Sequence, residues 1–179
     1  VVVFADSVKV FRATPEFLQR FKGQVFDVGI AEQNMVATAA GLATCGLTVF
    51  AATYAGFITM RACEQVRTFV AYPGLSVKFI GANAGIFGGE REGVTHQFFE
   101  DLAIVRSIPG VTVVVPADAA AVRQATRAIA GTKGPAYLRI GSGRDPVVVD
   151  PPRPFELGKI RRLEDHGRDF VIFANGYLL

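Results

Sequence analysis

The chain predicts an α/β fold with a mainly parallel sheet of about six strands flanked by helices. Two observations carry this. Short apolar strand-like runs alternate with helical patterns along most of the length, the order that builds a layered α/β domain. Half of the 179 residues are hydrophobic and 20% are charged, which suits a sheet covered on both faces and a chain long enough to bury a sizeable core. The pattern divides into a domain over 1–145, a proline-rich linker over 146–154 and the start of a further domain over 155–179.

Val1-Val2-Val3-Phe4-Ala5 reads as a buried strand that begins abruptly, with Asp6-Ser7 at its carboxyl end. Thr14-Pro15-Glu16 is a helix-start signature of N-cap, first-position proline and first-turn acid. The next strand ends at Gly29, and a small-residue-rich helix runs from Glu32 to about Cys45. Leu47 to Ala51 reads as a strand, and Thr53 to Tyr72 as loop plus helix. On that helix Arg61, Glu64 and Arg67 share one face, a spacing that predicts a solvated or interface ion-pair set. Val77 to Ile80 is a strand, Gly81 to Gly93 a glycine-rich loop, and Phe98 to Ile108 a helix. Val111 to Val115 is a strand, Pro116-Ala117-Asp118 starts an alanine-rich helix to Ala130 with Asp118 as a first-turn residue, and Ala136 to Ile140 closes the domain. Beyond Arg144 the prolines 146, 151, 152 and 154 stiffen the chain.

Net charge is +3 and the isoelectric point about 9.1, yet the cations are scattered, without the basic stripe that marks a nucleic-acid binder. A few arginines suit anionic substrates better. Cys45 and Cys63 form no CxxC pair and sit in apolar segments, so they read as buried free thiols in a reducing, cytoplasmic setting. No charge occurs between Gln33 and Met60, a length that could span a bilayer. Gly41, Gly46, Gly56 and the β-rich Leu47-Thr48-Val49-Phe50 break it into helix, strand and helix, which argues against a membrane span.

The stretch Val25-Phe26-Asp27-Val28-Gly29-Ile30-Ala31-Glu32-Gln33-Asn34 puts one carboxylate at the mouth of a strand–turn–helix unit, where open sheets bind ligands. An acid in the first helical turn is also simply favoured by the helix dipole. Gly29-Ile30-Ala31-Glu32-Gln33-Asn34 with Ala40-Gly41-Leu42-Ala43, however, resembles the pyrimidine-binding domain of thiamine-diphosphate enzymes of the transketolase family. Thr53-Tyr54-Ala55-Gly56-Phe57, Gly93-Val94-Thr95-His96-Gln97, Glu100-Asp101-Leu102-Ala103, Val115-Pro116-Ala117-Asp118 and Gly134-Pro135-Ala136-Tyr137-Leu138-Arg139 follow in family order, over roughly residues 1 to 145.

The resemblance implies that Glu32 is catalytic, hydrogen-bonding N1′ of the cofactor's aminopyrimidine and favouring the imino tautomer that deprotonates thiazolium C2. It implies an aromatic wall from Tyr54 and Phe57 and a cofactor neighbour in Asp6. His96 becomes a catalytic and substrate-binding residue, although an isolated histidine is often structural. Asn83 and Glu92 stand where the family commonly has a histidine and an aspartate, and they are expected to meet substrate. Arg139, with Arg144 as its alternative, is expected to read a substrate phosphate, the structural reading being a pair with a carboxylate such as Asp145. A serine that the family often places after Asp6 is missing from Val8-Lys9-Val10; Lys9 is a surface lysine or its substitute. His166 reads as an exposed turn residue.

The implied activity is transfer of a two-carbon ketol unit between sugar phosphates. A close rival is a 1-deoxy-D-xylulose-5-phosphate synthase-like condensation of pyruvate, and a more distant one a non-catalytic dimerisation module. There is no Gly-Asp-Gly followed by a downstream Asn, the diphosphate and metal signature. Thiamine diphosphate with Mg2+ or Ca2+ should therefore be held jointly with a separate N-terminal diphosphate-binding domain or subunit, in a homodimer or heterotetramer, and no metal ligand is expected here. The chain alone should be inactive.

Overall fold

The computed structural model describes all residues except 7–10, 87, 89–91, 144–145, 149–154 and 177–179. Lys9, Arg144 and Asp145 lie outside the described residues.

Six parallel strands form one sheet: β1 (Val2–Phe4), β2 (Val25–Asp27), β3 (Val49–Tyr54), β4 (Val77–Ala82), β5 (Thr112–Val114) and β6 (Ala136–Arg139). Their spatial order is β2-β1-β3-β4-β6-β5, and every pairing is parallel. The α/β expectation therefore holds. The chain steps from β1 outward to β2 and then returns to the other side of β1 as β3. That reversal opens a crevice at the carboxyl ends of β1 and β3, the place where open α/β sheets take ligands.

Local signals read from the sequence account for the helices. In α1 (Pro15–Arg20), Thr14 Oγ1 accepts from Phe17 N at 3.2 Å. In α2 (Glu32–Thr44), Met35, Val36, Ala39, Ala40 and Ala43 are buried on the face turned to the sheet. The alanines let this helix lie close to β1 and β3. In α5 (Ala119–Ala130), Asp118 is the N-cap and accepts from Ala121 N at 2.8 Å. The main core cluster joins Val3, Met35, Val36, Val49, Val70, Phe79 and Tyr137 between the sheet and this layer of helices. Val114, Ala125, Ile129 and Leu138 form a second cluster under α5.

The structure corrects several expected boundaries. β3 continues through Tyr54 and β4 through Ala82, because all six of their residue pairs stay in register. The expected loop at Thr53 is thus strand. The helix expected from Phe98 begins only at Asp101 as α4 (Asp101–Arg106). Phe98 instead pairs across the glycine-rich loop with Gly85, through Gly85 N to Phe98 O at 2.6 Å and the reverse bond at 3.1 Å.

The segment after β3, here α3 (57–71), is not a plain α-helix: Phe57–Arg61 and Val66–Ala71 are π-turns flanking a short α-turn at Cys63–Gln65. Wider π-turns change which side chains share a face, so the expected Arg61–Glu64–Arg67 set is not the one observed: Arg61 pairs with Glu32 and Glu64 accepts from Gln65 Nε2. The cysteines are also not buried as expected. Cys45 is the exposed C-cap of α2 and Cys63 is half-buried; both are free.

Among the described residues no helix is long and apolar enough to cross a membrane. The described residues of 155–176 form no helix or strand. Phe155 is tied to α5 by its N–H to Gln124 Oε1 at 2.9 Å. His166 is exposed and faces Glu164 at 3.2 Å.

Candidate active site

The carboxyl edge of the sheet gathers most of the expected residues. Asp6 lies two residues past the end of β1 in the left-handed region at φ 60°, Tyr54 ends β3, Asn83 follows β4 at φ 53°, and Arg139 ends β6. Glu32 opens α2 after β2 and is 3% exposed. An ionised carboxylate that deep requires a partner, and Arg61 supplies it. Its Nη1 lies 3.0 Å from both Glu32 Oε1 and Oε2.

Arg61 is itself fixed from two other sides. Gln33, the neighbour of Glu32, donates from Nε2 to the Arg61 carbonyl at 3.0 Å. The Arg61 guanidinium lies over the Phe57 ring, 4.0 Å from its centroid, well inside cation–π range. The π-turn, closed by Ala62 N to Phe57 O at 3.2 Å, sets Phe57 and Arg61 side by side in this way.

Phe57 belongs to an aromatic cluster. Its ring meets Tyr54 at 5.7 Å, His96 at 5.1 Å and Phe98 at 5.2 Å, all edge-on, and His96 also meets Tyr54 at 5.2 Å. Edge-to-face contacts of this kind lock rings in place. The 3-10 turn Val94–His96 delivers the histidine, and Thr95 Oγ1 lies 3.0 Å from His96 Nδ1. Gly56 makes the cluster possible: a Cβ there would occupy the position of the Phe98 ring. Burial raises the Tyr54 hydroxyl above its ordinary pKa of 10.0, and the nearby charges of Glu92 and Asp6 add to the rise. Tyr54 thus remains a neutral phenol. Glu92 is exposed and Asn83 half-buried; Asn83 N donates to the Gly141 carbonyl at 3.1 Å.

Arg139 stands in a different setting from the one expected. It is paired with a carboxylate, Asp101. Nε donates to Asp101 Oδ2 at 2.8 Å and Nη2 to Oδ1 at 3.2 Å, while Nη2 also reaches the Phe98 carbonyl at 3.3 Å. Tyr137 donates to the same Asp101 Oδ2 at 2.7 Å. Asp101 is fully buried and Arg139 14% exposed. Burial, and then the Asp101 charge, hold the Tyr137 hydroxyl well above its usual range. Gly81 leaves the space this network needs, since any Cβ there would meet the Tyr137 phenol. Asp101, Tyr137 and Phe98 carry no site role in the sequence reading; the only signal for them was an acid and a tyrosine within the shared motifs.

Among the described residues no cluster of histidine, cysteine or acidic side chains could hold a metal. A surface depression of about 530 Å³, lined by Leu102, Arg106, Val111, Val113, Val115 and Asn175, contains none of the residues above.

Residues 3–143 match the family model of the transketolase pyrimidine-binding domain. The chain belongs to that family. It is 42% identical over 176 residues, 98% of its length, to the 6-deoxy-6-sulfo-D-fructose transketolase subunit SqwH of Clostridium sp. (strain MSTE9), and covers 52% of that protein. It is 40% identical over 168 residues to a 1-deoxy-D-xylulose-5-phosphate synthase of Gloeobacter violaceus, with 92% of this chain and 26% of that one covered. Among solved structures, a split-gene transketolase described as an inactive β4 tetramer superposes with TM-score 0.75 at 40% identity, over 89% of this chain and 50% of the other. The transketolase pyrimidine domain fits the arrangement described above. The chain spans about half the length of the curated transketolase relatives it matches.

Proposed function

We propose that this chain is the pyrimidine-binding part of a cytoplasmic, thiamine-diphosphate-dependent transketolase that moves a two-carbon ketol unit between sugar phosphates. The observation that supports it most is the buried Glu32 carboxylate at the sheet's carboxyl edge, linked through Arg61 to the ring cluster of Phe57, Tyr54 and His96. The residues present suit an aminopyrimidine: a buried carboxyl group close to a cluster of aromatic rings can hold a flat heterocycle by one directional bond and by ring contacts. Thiamine diphosphate, when bound, supplies the carbanion chemistry. Glu32 would share a proton with ring nitrogen N1′, Tyr54 and Phe57 would confine the ring, and Asp6 would lie beside it. His96, Asn83 and Glu92 would face the sugar.

For Arg139 the geometry favours a scaffold role. Asp101 and the Phe98 carbonyl engage its Nε and Nη2, which leaves only Nη1 for a phosphate and no bidentate grip, so Arg144 is the alternative bearer of that contact. Mg2+ and the diphosphate would be held by an N-terminal region or partner subunit. The half-length coverage and the subunit and β4 tetramer descriptions of the relatives support such an assembly. The free thiols fit the reducing cytoplasm.

In the assembled enzyme, Glu32→Gln should slow deuterium exchange at thiazolium C2 by at least about a hundredfold, the scale of a lost proton-transfer group. Exchange at the native rate would refute the role of Glu32. The 40% identity to a deoxyxylulose-phosphate synthase favours one second reading, condensation of pyruvate with an aldehyde phosphate. Assaying both product types with the same preparation separates the two.

A further inference from the structure

The Arg61 guanidinium makes both contacts that the proposed function requires of an aminopyrimidine. It is planar, it lies 4.0 Å over the Phe57 ring, and it directs an N–H group at the buried Glu32 carboxylate, 3.0 Å from each oxygen. A flat heterocycle that stacks on the same face of Phe57 and engages Glu32 cannot occupy that space together with it. We propose that Arg61 is a placeholder in the pyrimidine pocket: it holds the seat of the ring in the unloaded site and swings out when the cofactor enters. This rests on the reading of Glu32 as the N1′ partner.

Three physical points support the exchange. An ionised carboxylate 3% exposed needs a cation or several donors beside it, and Arg61 is the cation beside Glu32. In the proposed loaded site the same carboxyl group shares a proton with a ring nitrogen, and a guanidinium bound to both oxygens belongs to the ionised state instead. Finally, Arg61 has an exit. Its side chain is 48% exposed, so rotation about its own torsions takes the charge into water without moving α3. The backbone need not follow, because Gln33 holds the Arg61 carbonyl.

The test uses the assembled enzyme, this chain with the diphosphate-binding region that completes it, and thiamine diphosphate with magnesium as the probe. Arg61→Met keeps the stem and removes the planar cation; Arg61→Lys keeps the charge but cannot stack and donate in one plane. Stopped-flow binding should show association about tenfold faster for Arg61→Met, the loss of one partly exposed cation–π contact and ion pair. The dissociation constant should fall by a similar factor, with Arg61→Lys between the two. The loaded wild-type crystal structure should place the guanidinium outside the roughly 6 Å range of a cation–π contact with Phe57. Slower or unchanged association in Arg61→Met, or an Arg61 still seated on Phe57 beside bound cofactor, would overturn the proposal. Native C2 exchange in Glu32→Gln would instead overturn the reading of Glu32, so the two failures are distinguishable.

Discussion

Asp101→Ala should be the most destabilising single change near the site. The carboxylate is fully buried and accepts from Arg139 twice and from Tyr137 once. Removing it strands a guanidinium that is only 14% exposed and a buried phenol. Breaking a buried ion pair on one side costs about 3–5 kcal/mol. An orphaned hydroxyl adds about 1–3 kcal/mol, partly offset because Arg139 keeps the Phe98 carbonyl and some water. A net loss of about 4 kcal/mol corresponds to a fall in Tm of roughly 10 °C for a domain of this size. Tyr137→Phe, in contrast, leaves Asp101 paired with Arg139 and should cost only about 1 kcal/mol. Because Arg139 also holds the Phe98 carbonyl, and the Phe98 ring contacts Phe57 and His96, Asp101→Ala should loosen the aromatic cluster as well.

Calorimetric melting of wild type, both single variants and the double variant measures the coupling directly. A loss below about 1 kcal/mol in Asp101→Ala, or equal losses in the two single variants, would refute this account of the network. Arg139→Met then distinguishes scaffold from substrate contact. As a scaffold it should lower stability and affect phosphorylated and unphosphorylated acceptors alike. A rise in KM confined to phosphorylated sugars would restore its phosphate role.

Gly56→Ala should displace the Phe98 ring from the pocket wall, for an overpacking loss of about 1–3 kcal/mol, read as a lower Tm and as altered near-ultraviolet dichroism; an unchanged spectrum would count against the close contact. Lys78 is fully buried in β4, and its Nζ donates to Thr132 O at 2.9 Å, Thr132 Oγ1 at 3.3 Å and Gly134 O at 2.5 Å. Burial lowers its pKa from the ordinary 10.5, so above the folded-state value the unfolded chain binds more protons and stability rises with pH. Measured by urea unfolding as the pH is raised toward the ordinary 10.5, the stability of wild type should therefore climb relative to Lys78→Met; a constant difference would show that burial imposes no such cost.

Much of the architecture was legible because its causes are local. Thr14 caps the helix that follows it since a side-chain oxygen need reach only three residues along the chain, whereas Asp118, expected inside the first turn, is the N-cap before it. The small residues after Glu32 form a buried helix, and the carboxylate falls at the ligand edge because strand, turn and helix are contiguous. Where the reading failed, a distant partner decided. β3 extends through Tyr54 because β4 offers it six registered positions. Phe98 leaves its expected helix to pair with Gly85. Lys78, unremarkable in sequence, is fully buried because β4 lies at the sheet centre and the turn after α5 offers carbonyls to its ammonium.

Periodicity and contiguous motifs are enough to read the family, the strand and helix order and the position of Glu32. Side-chain partners are settled by packing instead. Arg61 suited Glu64 and Arg67 by helical spacing, but the π-turn directs it 29 residues back to Glu32. Arg139 binds Asp101, 38 residues away, a carboxylate that its sequence neighbourhood does not point to. A buried charge takes whichever countercharge the packed elements bring within 3 Å, and sequence proximity does not enter that choice.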